Sequence, residues 1–170
     1  MRRIGVLAGM LMLALLALLA LTPSASAGDN FVATLSGDEE VPARDTQAVG
    51  VATFKLREEG TALEFKVNVA NIDNPFAAHI HCGAVGINGP IGVTLFLGPL
   101  AAGAVNGTLA EGTITGPDPG NACGWSDLAA VLAAIQTGDT YVNVHTNDGV
   151  PPVNTGPGDF PGGEIRGQIR

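Results

Sequence analysis

From Phe31 onward the chain alternates apolar and polar residues in short runs separated by Gly, Pro, Asn and Asp. Phe31-Val-Ala-Thr-Leu35 is the first run. Gly50-Val-Ala-Thr-Phe-Lys-Leu56 follows, with Ala52, Phe54 and Leu56 sharing one face, and Glu58-Glu59-Gly60 marks a turn. Leu63-Glu-Phe-Lys-Val-Asn-Val69 then sets Leu63, Phe65, Val67 and Val69 against Glu64, Lys66 and Asn68. Successive strand residues point to opposite faces, so this two-residue period predicts antiparallel strands with one face on a core. Similar runs occupy residues 77–82, 91–97, 107–114, 141–146 and 164–169. About eight short strands at hairpin-like spacing predict an all-β fold, a β-sandwich or flattened barrel. One segment departs from the period. Leu128-Ala-Ala-Val-Leu-Ala-Ala-Ile135 has apolar residues at helical spacing, with Ser126 or Asp127 to cap it and Gly138 to stop it, so it predicts one short helix. Residues 147–163 are rich in Pro and Gly and read as a long loop, either functional or merely stiff.

Ahead of the first strand the pattern is of another kind. Arg2 and Arg3 precede an apolar run over residues 4–21, then Thr22-Pro23-Ser24 and the small triplet Ala25-Ser26-Ala27. That order predicts a secretory signal peptide over residues 1–27, cleaved after Ala27, and a single mature domain over 28–170. The run is long enough to span a membrane if left uncleaved, but the Pro and the Ala-x-Ala site directly after it argue against a lasting anchor. Its removal takes two cations and no carboxylate, moving the formal charge from −8 to −10. So acidic a surface disfavours nucleic acid and anionic membranes as partners. Export also carries Cys82 and Cys123 into an oxidising compartment, either secreted or periplasmic. One disulfide is the default expectation there, with two free thiols or two metal thiolates as alternatives.

The chain has only three histidines, and they fall at His79-Ile80-His81 and Val144-His145-Thr146. Strand geometry puts His79 and His81 side by side with Ile80 turned to the core. Val142 and Val144 take the core on the later strand, so Tyr141, Asn143 and His145 face outward. If the two strands are neighbours, three imidazoles converge on one outer patch. Three neutral imidazoles suit copper or zinc, with a coordination position left open for water or a small ligand. The plain alternative is three surface histidines with no metal. Arg166 shares the outward face of its strand with Glu164 and Gln168, where it could draw an anion to the site or simply pair with a carboxylate. No G-x-S-x-G, P-loop or Rossmann glycine pattern is present to suggest other chemistry.

Four stretches carry a family resemblance: Phe31-Val-Ala-Thr-Leu-Ser-Gly-Asp-Glu-Glu-Val-Pro42; Ala78-His-Ile-His-Cys-Gly83 with Gly89-Pro90; Gly138-Asp-Thr-Tyr-Val-Asn-Val-His-Thr146; and Gly163-Glu-Ile-Arg-Gly-Gln-Ile169. Together they resemble the CHRD family, first described as a repeat in chordin and found alone in exported bacterial proteins. The resemblance implies a Greek-key-like β domain and no assigned activity. The histidine motifs are also similar, more weakly, to those of copper,zinc superoxide dismutase. That likeness implies copper on His79, His81 and His145, a bracing disulfide between Cys82 and Cys123, and Arg166 as catalytic anion guide. The dismutase has further histidines for zinc, and this chain has none to spare, so any such site would be copper-only. The expectation is therefore an exported domain that binds copper, with zinc as the alternative, on three histidines, and whether it also dismutates superoxide is left open. A metal-capture or protein-interaction module without turnover is the alternative, and the oligomeric state is left open.

Overall fold

The computed structural model describes residues 30–57 and 60–170, so the expected signal peptide and most of the Glu58-Glu59-Gly60 turn lie outside the described residues. Within them the chain is all-β, as the alternation predicts. The strands are β1 (Asn30–Ser36), β2 (Val49–Arg57), β3 (Ala62–Asp73), β4 (Pro75–Cys82), β5 (Ile91–Leu97), β6 (Ala104–Ile114), β7 (Thr140–Thr146) and β8 (Ile165–Gln168). They form one antiparallel sheet in the order β5-β4-β7-β8-β1-β2-β3-β6, and its edge strands β5 and β6 come near each other in a nearly closed barrel. The β1-β2-β3 meander, the crossing from β3 to β4 and the return from β5 to β6 make the connectivity Greek-key-like.

The inward face is the apolar half of each run. Ala33 and Leu35 of β1, Ala52, Phe54 and Leu56 of β2, Leu63 and Val67 of β3, Ile80 of β4, Val142 and Val144 of β7, and Ile165 form one buried cluster. The helix α1 (Leu128–Gln136) adds Leu128, Val131, Leu132 and Ile135, the i, i+3, i+4, i+7 stripe its spacing predicts. Asp127 is its cap, its carboxylate accepting from Ala130 N at 2.9 Å. None of the described helices is long and apolar enough to cross a membrane.

β3 and β6 run longer than their expected bounds because the alternation breaks inside them. Register shifts fall between Val67 and Asn68 and between Val69 and Ile72, and Asn71 sits at a φ of 56°. A bulge adds a residue without ending the strand, which hides its continuation from a period-two reading.

Candidate metal centre

β4 and β7 are direct neighbours, with His79 opposite Asn143, His81 opposite Tyr141 and Ala77 opposite His145. The sheet therefore puts all three histidines on its outer face while Ile80, Val142 and Val144 fill the barrel. One ring nitrogen of each lies within 4.8 Å of those of the other two. The ring centroids are 5.0 Å apart for His79 and His145 and 5.7 Å for each pair with His81.

The predicted face is correct and the predicted exposure is not. The histidines lie on the outside of the barrel but are only 7–8% exposed, so they form a covered site in place of an open patch. Their cover comes from the loops. Gly89, after β4, brings its carbonyl to His81 Nδ1 at 2.9 Å, and Pro161, before β8, brings its own to His145 Nδ1 at 3.0 Å. Each contact places the ring proton on Nδ1 and turns Nε2 inward. The ring nitrogens buried without any partner are then His79 Nδ1, His81 Nε2 and His145 Nε2, one per histidine. Buried polar atoms rarely go unpaired, and outer carbonyls that fix the tautomer are the usual support of metal-binding histidines. The donor set fits a metal ion.

Electrostatics favour the neutral, ligating form. Burial holds His145 down to about 3, helped by its neighbours His79 and His81 and opposed by the Pro161 carbonyl. Burial likewise holds His79 down to about 4, with His81 adding to the shift and Asp118 opposing it. His81 is lowered by burial and by Arg166, against the raising effect of Gly89.

Arg166 stands on the histidine face but not beside the histidines. It is 2% exposed, and its guanidinium lies 3.5 Å above the Tyr141 ring, which in turn stacks on His81 at 4.9 Å. Its nitrogens donate to Asn88 Oδ1 at 3.0 Å and to the Ile87 carbonyl at 2.9 Å. Tyr141 thus separates the cation from the ligands, and the donors are engaged with the 84–88 loop. The Tyr141 hydroxyl accepts from Gly89 N at 3.0 Å, completing a layer of Arg166, Tyr141 and Gly89 behind His81. Gly89 is required in this layer because a Cβ there would collide with the Cys82 carbonyl.

Cys82 and Cys123 are disulfide-bonded, with Cα atoms 5.8 Å apart. The bond fastens the residue after His81 to the segment leading into α1. Three further groups escaped the sequence reading. Glu164 is fully buried and accepts from Thr46 Oγ1 and Thr146 Oγ1, each at 2.6 Å, and from Gly158 N at 2.8 Å, anchoring the 147–163 loop whose Pro161 holds His145. Glu40 is buried next to Arg44, Arg166 and Asn143, and burial pushes its carboxyl up to about 7 against their lowering effect. Tyr141 is the third. Period two put Tyr141 on the right face, and both carboxylates sit inside stretches quoted for the resemblance, yet nothing in an isolated Glu says that it is buried.

The CHRD domain model matches residues 31–169. The chain belongs to the CHRD domain family. Searches of curated proteins and of solved structures found no match.

Proposed function

We propose that this CHRD domain is exported and binds one copper ion on His79 Nδ1, His81 Nε2 and His145 Nε2. The observation that carries the reading is the set of three buried, unpartnered ring nitrogens gathered within 4.8 Å. Three neutral nitrogen donors without a carboxylate favour copper or zinc over calcium or magnesium, and divalent copper heads the affinity order for such donors. Zinc is the alternative occupant. Location outside the cytoplasm is supported by the Cys82–Cys123 disulfide and by the leader-like order of residues 1–27.

Bound copper would supply a one-electron couple, the chemistry that superoxide dismutation uses. The chain's own part is to keep three imidazoles neutral, fix two of them through the Gly89 and Pro161 carbonyls, and leave further coordination positions unclaimed. Turnover is the second reading, favoured by that three-ligand count. Arg166 enters it as a positioning residue that holds Tyr141 and the 84–88 loop behind His81.

Elemental analysis of the protein taken from its own exported compartment tests the first reading. About one copper per chain is expected, and His79→Ala or His145→Ala should abolish it. Metal content unchanged in both variants would overturn the site and leave a metal-free interaction module. Dismutation no faster than that of free copper would reduce the copper-loaded protein to metal capture.

A further inference from the structure

The outer surface of the barrel has two unlike halves. On β7 all seven residues are buried, the inward ones by the core and the outward ones by loops. On β2 the outward residues Val49, Val51, Thr53, Lys55 and Arg57 are exposed along the whole strand. β1 and β3 flank β2 in register, placing Thr34 and Asn68 on either side of Val51, and Ser36 and Ala70 on either side of Val49. Val32, Val49 and Val51 are 44%, 47% and 40% exposed, and a groove of about 400 Å³ lies over Gly50 between Thr34, Val49, Val51 and Ala70. Single exposed valines are ordinary, whereas neighbouring ones on a bare sheet mark an interaction surface.

The charges on this half differ from those on the rest of the molecule. Among the described residues the exposed cations are Lys55, Arg57, Lys66 and Arg170. Three belong to the outward rows of β2 and β3, and Arg170 lies beside Val32, the two backbones exchanging hydrogen bonds at 2.7 and 2.9 Å. Arg57 pairs with Glu64 at 2.8 Å and Lys66 with Glu111 at 3.1 Å, so both signs border the valines. Exposed carboxylates elsewhere, such as Asp45, Asp127 and Asp139, have no exposed cation to offset them. A chain of formal charge −8 repels its own kind through most of its surface, and that repulsion is smallest on this half.

We infer that the outward face of β1, β2 and β3 docks on the same face of a second copy of this chain, forming a two-fold dimer with Val32, Val49 and Val51 at its centre and the mixed charges at its border. A partner bearing one sign of charge is less well matched, because this border carries both. Sheets stack face to face about 10 Å apart, a gap that side chains of this size fill. Three strands at about 4.8 Å each span only about 14 Å, short of an obligate interface, so the pairing is reversible. The metal centre lies on the loop-covered half, outside the contact, and the dimer is independent of the metal-binding reading.

The test is analytical ultracentrifugation of the exported, disulfide-bonded protein at loadings from about 1 to about 500 μM, the range in which small reversible interfaces form. The weight-average mass should climb to twice that of the monomer and stop there, since a face that pairs with itself closes at two. Val51→Lys and Val49→Glu, each at an exposed position, should stay monomeric at every loading and keep the parent's melting temperature at the lowest one. Val85→Lys is the control, at a valine 60% exposed on the 83–90 loop, and should dimerise like the parent. A parent that is monomeric at every loading would overturn the inference and leave this face to a partner of other chemistry. Growth beyond the dimer, or a dimer that survives both face substitutions, would overturn it as well.

Discussion

The polar side chains around the centre are buried against one another. His81 lies between the Gly89 carbonyl and the Tyr141 ring, Tyr141 lies under Arg166, and Asn143 stands opposite His79 with Glu40 alongside. Burial shifts the titration of the histidines and of Glu40 in opposite senses, and with it come two opposed pH effects in the metal-free protein. His79 and His145 titrate near 4 and 3 when folded and near 6.5 when unfolded, so the unfolded chain takes up protons first as pH falls. Their contribution to stability is present above pH 6.5 and is lost as pH falls toward the folded values. Glu40 acts in the other sense. Its folded carboxyl holds a proton up to about 7 that the unfolded chain releases near 4.5, so its contribution fades as pH rises between those limits. Glu40→Gln should therefore gain on the parent in melting temperature from pH 5 to pH 7 and keep a constant margin above, by thermal denaturation of metal-free protein. A difference that does not vary with pH would mean that Glu40 is ionised throughout.

At the scale of the element, the strands place the ligands and the loops orient them. The loop of residues 147–163 reaches the centre through Pro161, and its return into β8 passes Gly163 at a φ of 126°. A side chain there would meet the Asn143 amide and Glu40 Oε1 at 2.5 Å. Gly163→Ala combines a strained backbone with a collision against buried polar groups, and should destabilise the domain by about 2–3 kcal/mol in urea unfolding. Copper affinity should weaken with it, because Pro161 and His145 shift together. The 83–90 loop has a different restraint. Its disulfide closes a separation of 41 residues, which in the chain-entropy view stabilises by about 4 kcal/mol. Cys82→Ser with Cys123→Ser should approach that loss in denaturant titration and weaken metal binding, since Cys82 follows His81 directly.

For the molecule as a whole, a site assembled from β4, β7 and two loops exists only in the folded barrel. Metal that binds the native state and not the unfolded chain stabilises by mass action, about 2.7 kcal/mol at a free concentration 100 times Kd. Copper should raise the melting temperature of the parent and leave that of His145→Ala unchanged by calorimetry. The net charge of −8 helps a cation approach and hinders an anion. Superoxide turnover, if present, should therefore rise with ionic strength, the reverse of an enzyme steered by a positive rim.

Period two was enough to find the strands, to turn Ile80, Val142 and Val144 inward and to put His79, His81, His145 and Arg166 outward, because facing is a local property of an extended chain. The exported-compartment reading made the Cys82–Cys123 bond the default. What local pattern cannot carry is adjacency and cover. That β4 pairs with β7 follows from the crossover order of the whole sheet, and only that pairing makes two motifs more than sixty residues apart into one cluster. That the outward face is sealed follows from loops whose backbone carbonyls, at Gly89 and Pro161, have no side-chain signature to read. The same cover turned Arg166 from an expected anion guide at the surface into a buried cation over Tyr141, because a guanidinium excluded from water takes whatever acceptors and aromatic faces the packed loop presents.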